Sequence, residues 1–251
     1  MSDPLRLLAV AVRFLTRLPL PEVETREGDL RRAAPAFPLV GLVVAGTGIA
    51  LRAAAAPLLG QVAATVLACA GMVVVTGALH EDGLADTVDG FWGGWDPERR
   101  LAIMRDSAVG TFGLLALVGV AGLRVALLAG LGLADFARAA ACGHVLGRAA
   151  MVLAAAVLPP AAPGRGAQVT GRPSNAGAAL AAGTAGLTLG LAVTWWAPVV
   201  LAVALAVTAG MVRLCRRRIG GVTGDTLGAT CQLVELATVA AVAALVRARA
   251  G

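Results

Sequence analysis

Charge is the first thing in short supply. Only 14% of the 251 residues are charged and 58% are hydrophobic, with a mean hydropathy of +0.82; a soluble domain carries about 25% charge and 45–50% apolar residues. A water-soluble globule is excluded. Lysine is absent: all 21 basic residues are arginine, and against 15 acids they leave a net charge of +6. Spread thinly among apolar runs, that excess is not the basic footprint of a nucleic-acid-binding protein. Cysteine is scarce and scattered. Cys69, Cys142, Cys215 and Cys231 are too far apart for a CxxC metal or redox clip, and three lie in apolar stretches, so they read as free thiols. The first 30 residues lack a long clean apolar core, because Arg6, Arg13, Arg17, Glu22, Glu24, Arg26, Glu27 and Asp29 interrupt it. No cleavable signal is expected there.

What the chain has instead is apolar runs, at about 36–56, 60–79, 109–131, 136–158, 177–194, 196–212 and 227–246, each near the ~20 residues that cross a bilayer. The runs are continuous rather than alternating with period two, and a backbone in lipid must satisfy its own hydrogen bonds, so the spans are helices. The expected fold class is all-α: one polytopic transmembrane domain over residues 1–251, with six to seven spans. Leu5 to Leu20 carries arginine at positions 6, 13 and 17 and ends in Pro19 and Pro21, which predicts an interfacial or re-entrant helix. Gly143 with Gly147 and Gly186 with Gly190 have the small-xxx-small spacing of close helix contacts. Arg124, Arg138, His144, Arg148 and Glu235 are costly in hydrocarbon and should face the bundle interior or pair with each other.

Arginine in the short loops sets orientation. The N-terminal stretch and segments 80–108, 159–176 and 213–226 fall on one side and hold most of it, including Arg216, Arg217 and Arg218. That side is expected to be cytoplasmic. Arg247 and Arg249 break the pattern if all seven runs cross.

The informative stretch is His80-Glu81-Asp82-Gly83-Leu84-Ala85-Asp86-Thr87-Val88-Asp89-Gly90, where seven of the chain's 15 acids begin between Glu81 and Asp106. On a helix Asp82, Asp86 and Asp89 stand at i, i+4 and i+7, within roughly 60° of one another. Like charges so placed repel, and a divalent cation neutralises them. Oxygen-only ligands favour a hard ion, Mg²⁺ or Mn²⁺, completed by water and substrate phosphate. Glu81 points about 100° away as a further ligand candidate. Helix should break at Gly93-Gly94 and restart at Pro97 with Asp96 as its N-cap. Beyond it Arg105 and Asp106 suit a substrate phosphate and its ion. Trp92 and Trp95 are read as interface anchors or as a stacking surface. Gly220-Gly221-Val222-Thr223-Gly224-Asp225 is either a backbone nest for phosphate or a loop with an N-cap.

These residues resemble the adenosylcobinamide-GDP ribazoletransferases, or cobalamin synthases. The likeness is carried by Phe14-Leu15-Thr16-Arg17-Leu18-Pro19, by His80 to Gly90, by Leu101 to Gly113 and by Gly220 to Ala229, in order along nearly the whole chain. It implies an inner-membrane enzyme, active on the cytoplasmic face, in which a hydroxyl of α-ribazole or its 5′-phosphate displaces GMP from adenosylcobinamide-GDP with Mg²⁺. It also implies substrate or metal binding by Gly224 and Asp225. A looser similarity is to the CDP-alcohol phosphotransferases, whose motif Asp86, Asp89, Gly90 and Asp106 partly follow; Gly93-Gly94 replace its Ala-Arg, and Gly110 stands where its last aspartate would be. Asp82, Asp86 and Asp89 are the expected metal ligands, and Asp106 a ligand or base. Competing readings are a phosphotransferase acting on a lipid alcohol and a divalent-cation transporter. The expected partners are the two small-molecule substrates and membrane lipid, with self-association open.

Overall fold

The computed structural model describes residues 3–250. Eleven α-helices are formed among them: α1 (Asp3–Leu15), α2 (Asp29–Ala33), α3 (Phe37–Thr76), α4 (Leu79–Gly93), α5 (Pro97–Ile103), α6 (Thr111–Ala129), α7 (Leu133–Val157), α8 (Arg165–Val169), α9 (Asn175–Val193), α10 (Ala197–Ile219) and α11 (Gly224–Ala250). Among the described residues no strand occurs, and the one extended pairing is an isolated bridge between Pro160 and Val222. The all-α membrane bundle read from the sequence is the fold.

Five stretches are long and apolar enough to cross a membrane, and two of these, Asp29–Thr76 and Asn175–Ile219, are double length. Both fold back where the sequence separates paired runs. Helix α3 reverses at Gly60, whose φ of 77° is a left-handed conformation that glycine adopts without steric cost. Beyond it the chain returns alongside itself: Gly48 lies against Met72, and Gly71 against Leu51. The second hairpin turns through Thr194–Trp196 between α9 and α10.

Helix α7 is the central rod. In its most apolar window 72% of residues are buried, against 56% for α11 and about a fifth for the other candidates, so those others keep apolar faces for lipid. Gly147 makes the α7–α11 approach close, since a Cβ there would stand 2.6 Å from Glu235 Cγ and 2.9 Å from the Cys231 carbonyl oxygen. Gly143 faces the same helix. Gly186 and Gly190 face open space, so their matching spacing marks no contact.

Helix α1 has 13 residues and is not among the candidate spans. It is pinned by Arg6, whose guanidinium donates to Asp29 Oδ1 at 2.9 Å in a buried ion pair with α2. Between α7 and α11 the costly polar groups find one another. Glu235 accepts from His144 Nδ1 and Arg148 at 2.8 Å each and from Arg124 at 3.3 Å, and Arg124 also donates to Gln232 Oε1 at 2.6 Å. Arg138 departs from that expectation: near the start of α7, it stays half-exposed and pairs with Asp135.

Helix α11 runs the length of the bundle. Arg249 near its end lies 5.7 Å over the Trp196 ring, in the turn between α9 and α10. The final arginines therefore sit at the arginine-poor end. All four cysteines are free.

Candidate active site

The block His80 to Gly93 forms α4, broken at Gly93-Gly94, and α5 restarts at Pro97 with the Asp96 carboxylate accepting from the Arg99 amide at 2.7 Å. This hairpin is clamped by Arg100. Its buried guanidinium donates to the carbonyls of Gly94, Trp95 and Arg218, and Arg218 donates back to the Phe91 carbonyl. Trp92 lies under the Arg218 guanidinium at 5.9 Å and Trp95 is largely exposed; neither lines the cavity described below.

Helix α4 lies directly on α11. A Cβ at Gly83 would stand 2.8 Å from the Asp225 carbonyl oxygen and 2.9 Å from its Cα, so only glycine lets Asp225 approach Asp82 and Asp86. The loop before α11 is an N-cap rather than a bare nest. Thr223 Oγ1 accepts from the Thr226 amide at 3.2 Å and donates to Asp225 Oδ2 at 3.2 Å, which aims that carboxylate. A short backbone ladder between Pro159–Ala161 and Val222 ties the α7–α8 connection to the same loop.

Burial pushes the Asp86 carboxyl up to about 7, and the neighbouring Asp82, Asp225 and Asp89 carboxylates add to it in that order. Among the described residues no arginine forms an ion pair with Asp82, Asp86 or Asp225. Several carboxylates held together without a cationic side chain suit a hard divalent cation.

Asp89 has another task. Its Oδ2 accepts from the Gly110 amide at 2.7 Å and its Oδ1 from Gly113 at 2.8 Å, capping the first turn of α6. A side chain at position 110 would meet that carboxylate, since a Cβ there would stand 2.5 Å from Asp89 Oδ1. The glycine where the looser motif has its last aspartate is thus required by the capping contact. Asp106 is exposed, accepts from the Ala108 amide at 3.0 Å and lies off the cavity wall. Glu81 faces the opposite side of α4, where it accepts from Gln232 Nε2 at 2.8 Å beside Arg124 and an apolar groove between α3 and α6. The structure does not bring Glu81 together with the aspartates.

A cavity of about 280 Å³ lies beside this cluster, with Asp82 and Asp225 in its wall. Arg105, Thr223 and Gly224 line it too, together with the apolar Phe14, Met104, Met151 and Val169. His80 also lines it, buried, with Nε2 lacking a hydrogen-bond partner. His80, Cys231 and Glu235 bring candidate ligand atoms within 4.8 Å of one another. Glu235 is already matched by two arginines and a histidine, which leaves a cation no favourable charge there.

Residues 7–243 match the family model of cobalamin-5-phosphate synthases. The chain belongs to that family. Adenosylcobinamide-GDP ribazoletransferases from Rhizobium meliloti (strain 1021) and a Sinorhizobium species are 42% and 41% identical to it, each over 94% of this chain and 95% of the relative. The protein of the same name from Azorhizobium caulinodans is 41% identical over 92% of both chains. No solved structure matches the chain significantly. Phe14, Met151, Pro163, Ala167 and Val169 reach the cavity only through the fold, whereas Asp82, Arg105, Gly224 and Asp225 are residues already expected to act on substrate or metal.

Proposed function

We propose that the chain assembles the nucleotide loop of cobalamin. A hydroxyl of α-ribazole, or of its 5′-phosphate, attacks the cobinamide-bound phosphorus of adenosylcobinamide-GDP. A phosphate ester bond forms, the anhydride bond to GMP breaks, GMP departs and the hydroxyl proton is released. The names and identity of the relatives support the substrates, and the carboxylates Asp82 and Asp225 in the cavity wall support the chemistry.

Asp82, Asp86 and Asp225 would hold a divalent cation, while Asp89 fixes the start of α6 beside them. When bound, Mg²⁺ or Mn²⁺ neutralises pyrophosphate oxygens and the departing phosphate. Arg105 in the cavity wall supplies a planar donor set suited to a phosphate oxygen, and the cavity would hold the attacking hydroxyl beside the pyrophosphate. The site lies at the arginine-rich end of the bundle, which supports a cytoplasmic-facing active site in the bacterial inner membrane.

The observation that carries this reading is the group of carboxylates around Asp86, without an arginine ion pair, of which Asp82 and Asp225 line a cavity. The test is a Mg²⁺-dependent assay of detergent-purified protein with adenosylcobinamide-GDP and α-ribazole. Stoichiometric GMP and the joined corrinoid are expected. Release of CMP from a CDP-activated lipid alcohol, with no GMP from the corrinoid, would overturn the substrates and leave the reaction type.

A further inference from the structure

The cavity is lined by two kinds of side chain. His80, Asp82, Arg105, Thr223 and Asp225 supply polar atoms, and Phe14, Met104, Met151 and Val169 supply apolar surface. Those four come from α1, the turn after α5, α7 and α8, so this surface exists only in the folded bundle. Met104 and Met151 are buried, and the Phe14 ring stacks on the fully buried Phe37 with centroids 5.7 Å apart and planes at 23°. The Phe14 ring is therefore held in place, and the two methionine side chains that line the same cavity are adaptable.

We propose that this apolar surface seats the aromatic base of the acceptor nucleoside, and that Phe14, Met104 and Met151 select that base; the substrate names, though not the seat, rest on the function proposed above. Size decides part of it. At about 280 Å³ the cavity lies at the lower edge of the ~300–1,000 Å³ of small-molecule pockets, enough for one bicyclic ring and too small for a corrin macrocycle with its side arms. The corrinoid must lie outside, and only its pyrophosphate reaches the carboxylates. Chemistry decides the rest. Guanine and adenine carry several polar edge groups, and an apolar wall would leave them unpaired at roughly 1–3 kcal/mol each, whereas the dimethylbenzimidazole of ribazole presents hydrocarbon along that edge.

Full-length protein in detergent tests this by two separate readouts. Benzimidazole fluorescence reports binding of α-ribazole, and competition between α-ribazole and the α-riboside of adenine reports selectivity in turnover. Met151→Gln places an amide in the apolar wall, and Phe14→Leu removes the flat face while keeping an apolar side chain. Each is expected to weaken α-ribazole binding at least tenfold in a protein that elutes and melts normally. Met151→Gln is also expected to shift the kcat/KM ratio at least tenfold toward the adenine riboside. Binding of α-ribazole within twofold of wild type in both variants would overturn the seat. A loss of GMP product inhibition, with α-ribazole binding unchanged, would overturn it in favour of guanine. Wild-type binding that responds to the variants, without turnover, would sustain the seat and sink the transferase reading instead.

Discussion

Asp86→Asn separates function from stability. In the metal-free protein the Asp86 carboxyl is pushed from its usual 3.8 to about 7 by burial and by Asp82, Asp225 and Asp89. Counted in full, a shift of that size corresponds to roughly 4 kcal/mol against the ionised form at 1.36 kcal/mol per unit. Asp86 is only partly buried, and screening by water reduces the figure to roughly 1–2 kcal/mol. The sign follows from proton binding: between about pH 4 and 7 the folded state holds the proton more tightly than the unfolded chain, so stability falls as pH rises through that window. Above pH 7 the full cost is present, and below pH 4 it vanishes. An amide of the same shape carries no charge, so the metal-free variant at pH 8 should melt higher than wild type. At roughly 2–4 °C per kcal/mol for a chain of this size the rise is about 2–8 °C, readable by tryptophan fluorescence in detergent, and turnover should be lost. Adding Mg²⁺ should raise the wild-type midpoint and leave that of the variant nearly still. A variant that turns over at the wild-type rate, or melts lower than wild type without metal, would refute the reasoning.

Asp89→Asn should act oppositely on stability, because an amide offers one acceptor where two backbone donors at the start of α6 are now satisfied. A loss of about 1 kcal/mol is expected, seen as a lowered melting midpoint. Metal affinity should be about tenfold weaker at pH 6 than at pH 8, since proton and cation compete for a carboxyl that titrates near 7; calorimetric titration with Mg²⁺ at the two pH values checks it, and equal affinities would contradict it. Glu235→Ala leaves Arg124 and Arg148 buried without their shared partner and should cost roughly 3–5 kcal/mol, reducing the yield of folded protein. Arg105→Lys, which keeps the charge and loses the fork, should raise KM for adenosylcobinamide-GDP more than it lowers kcat.

Local rules made much of the molecule legible. Apolar run lengths placed the rods, and the two-glycine break with Asp96 and Pro97 placed the α4–α5 corner, because these depend only on neighbours in the chain. Helical spacing likewise brought Asp82 and Asp86 to one face. What the spacing could not show is that Asp89, on the same face, turns its oxygens to amides of another helix 21 and 24 residues away. Glu81 was counted as a ligand candidate, yet α11 packs so that Gln232 takes its carboxylate on the other side of α4. Arg52 escaped notice inside an apolar run. It is almost wholly buried, pairs with Thr65 and Gln61 across the Gly60 turn and stacks on Phe136 at 4.7 Å; a lone arginine in such a run is itself the signal of a buried partner. The apolar lining of the cavity gathers residues from α1, α7, α8 and the turn after α5, and no pattern within any one of them encodes that meeting.

The most direct measurement of the central claim is a titration of the purified protein with Mn²⁺ followed by electron paramagnetic resonance, in wild type and in Asp82→Asn, Asp86→Asn and Asp225→Asn. Saturable binding displaced by Mg²⁺ is expected in wild type and should weaken at least tenfold in each variant, while Asp106→Asn binds as wild type does. Equal binding in all the proteins, or none in wild type with and without adenosylcobinamide-GDP, would contradict the account.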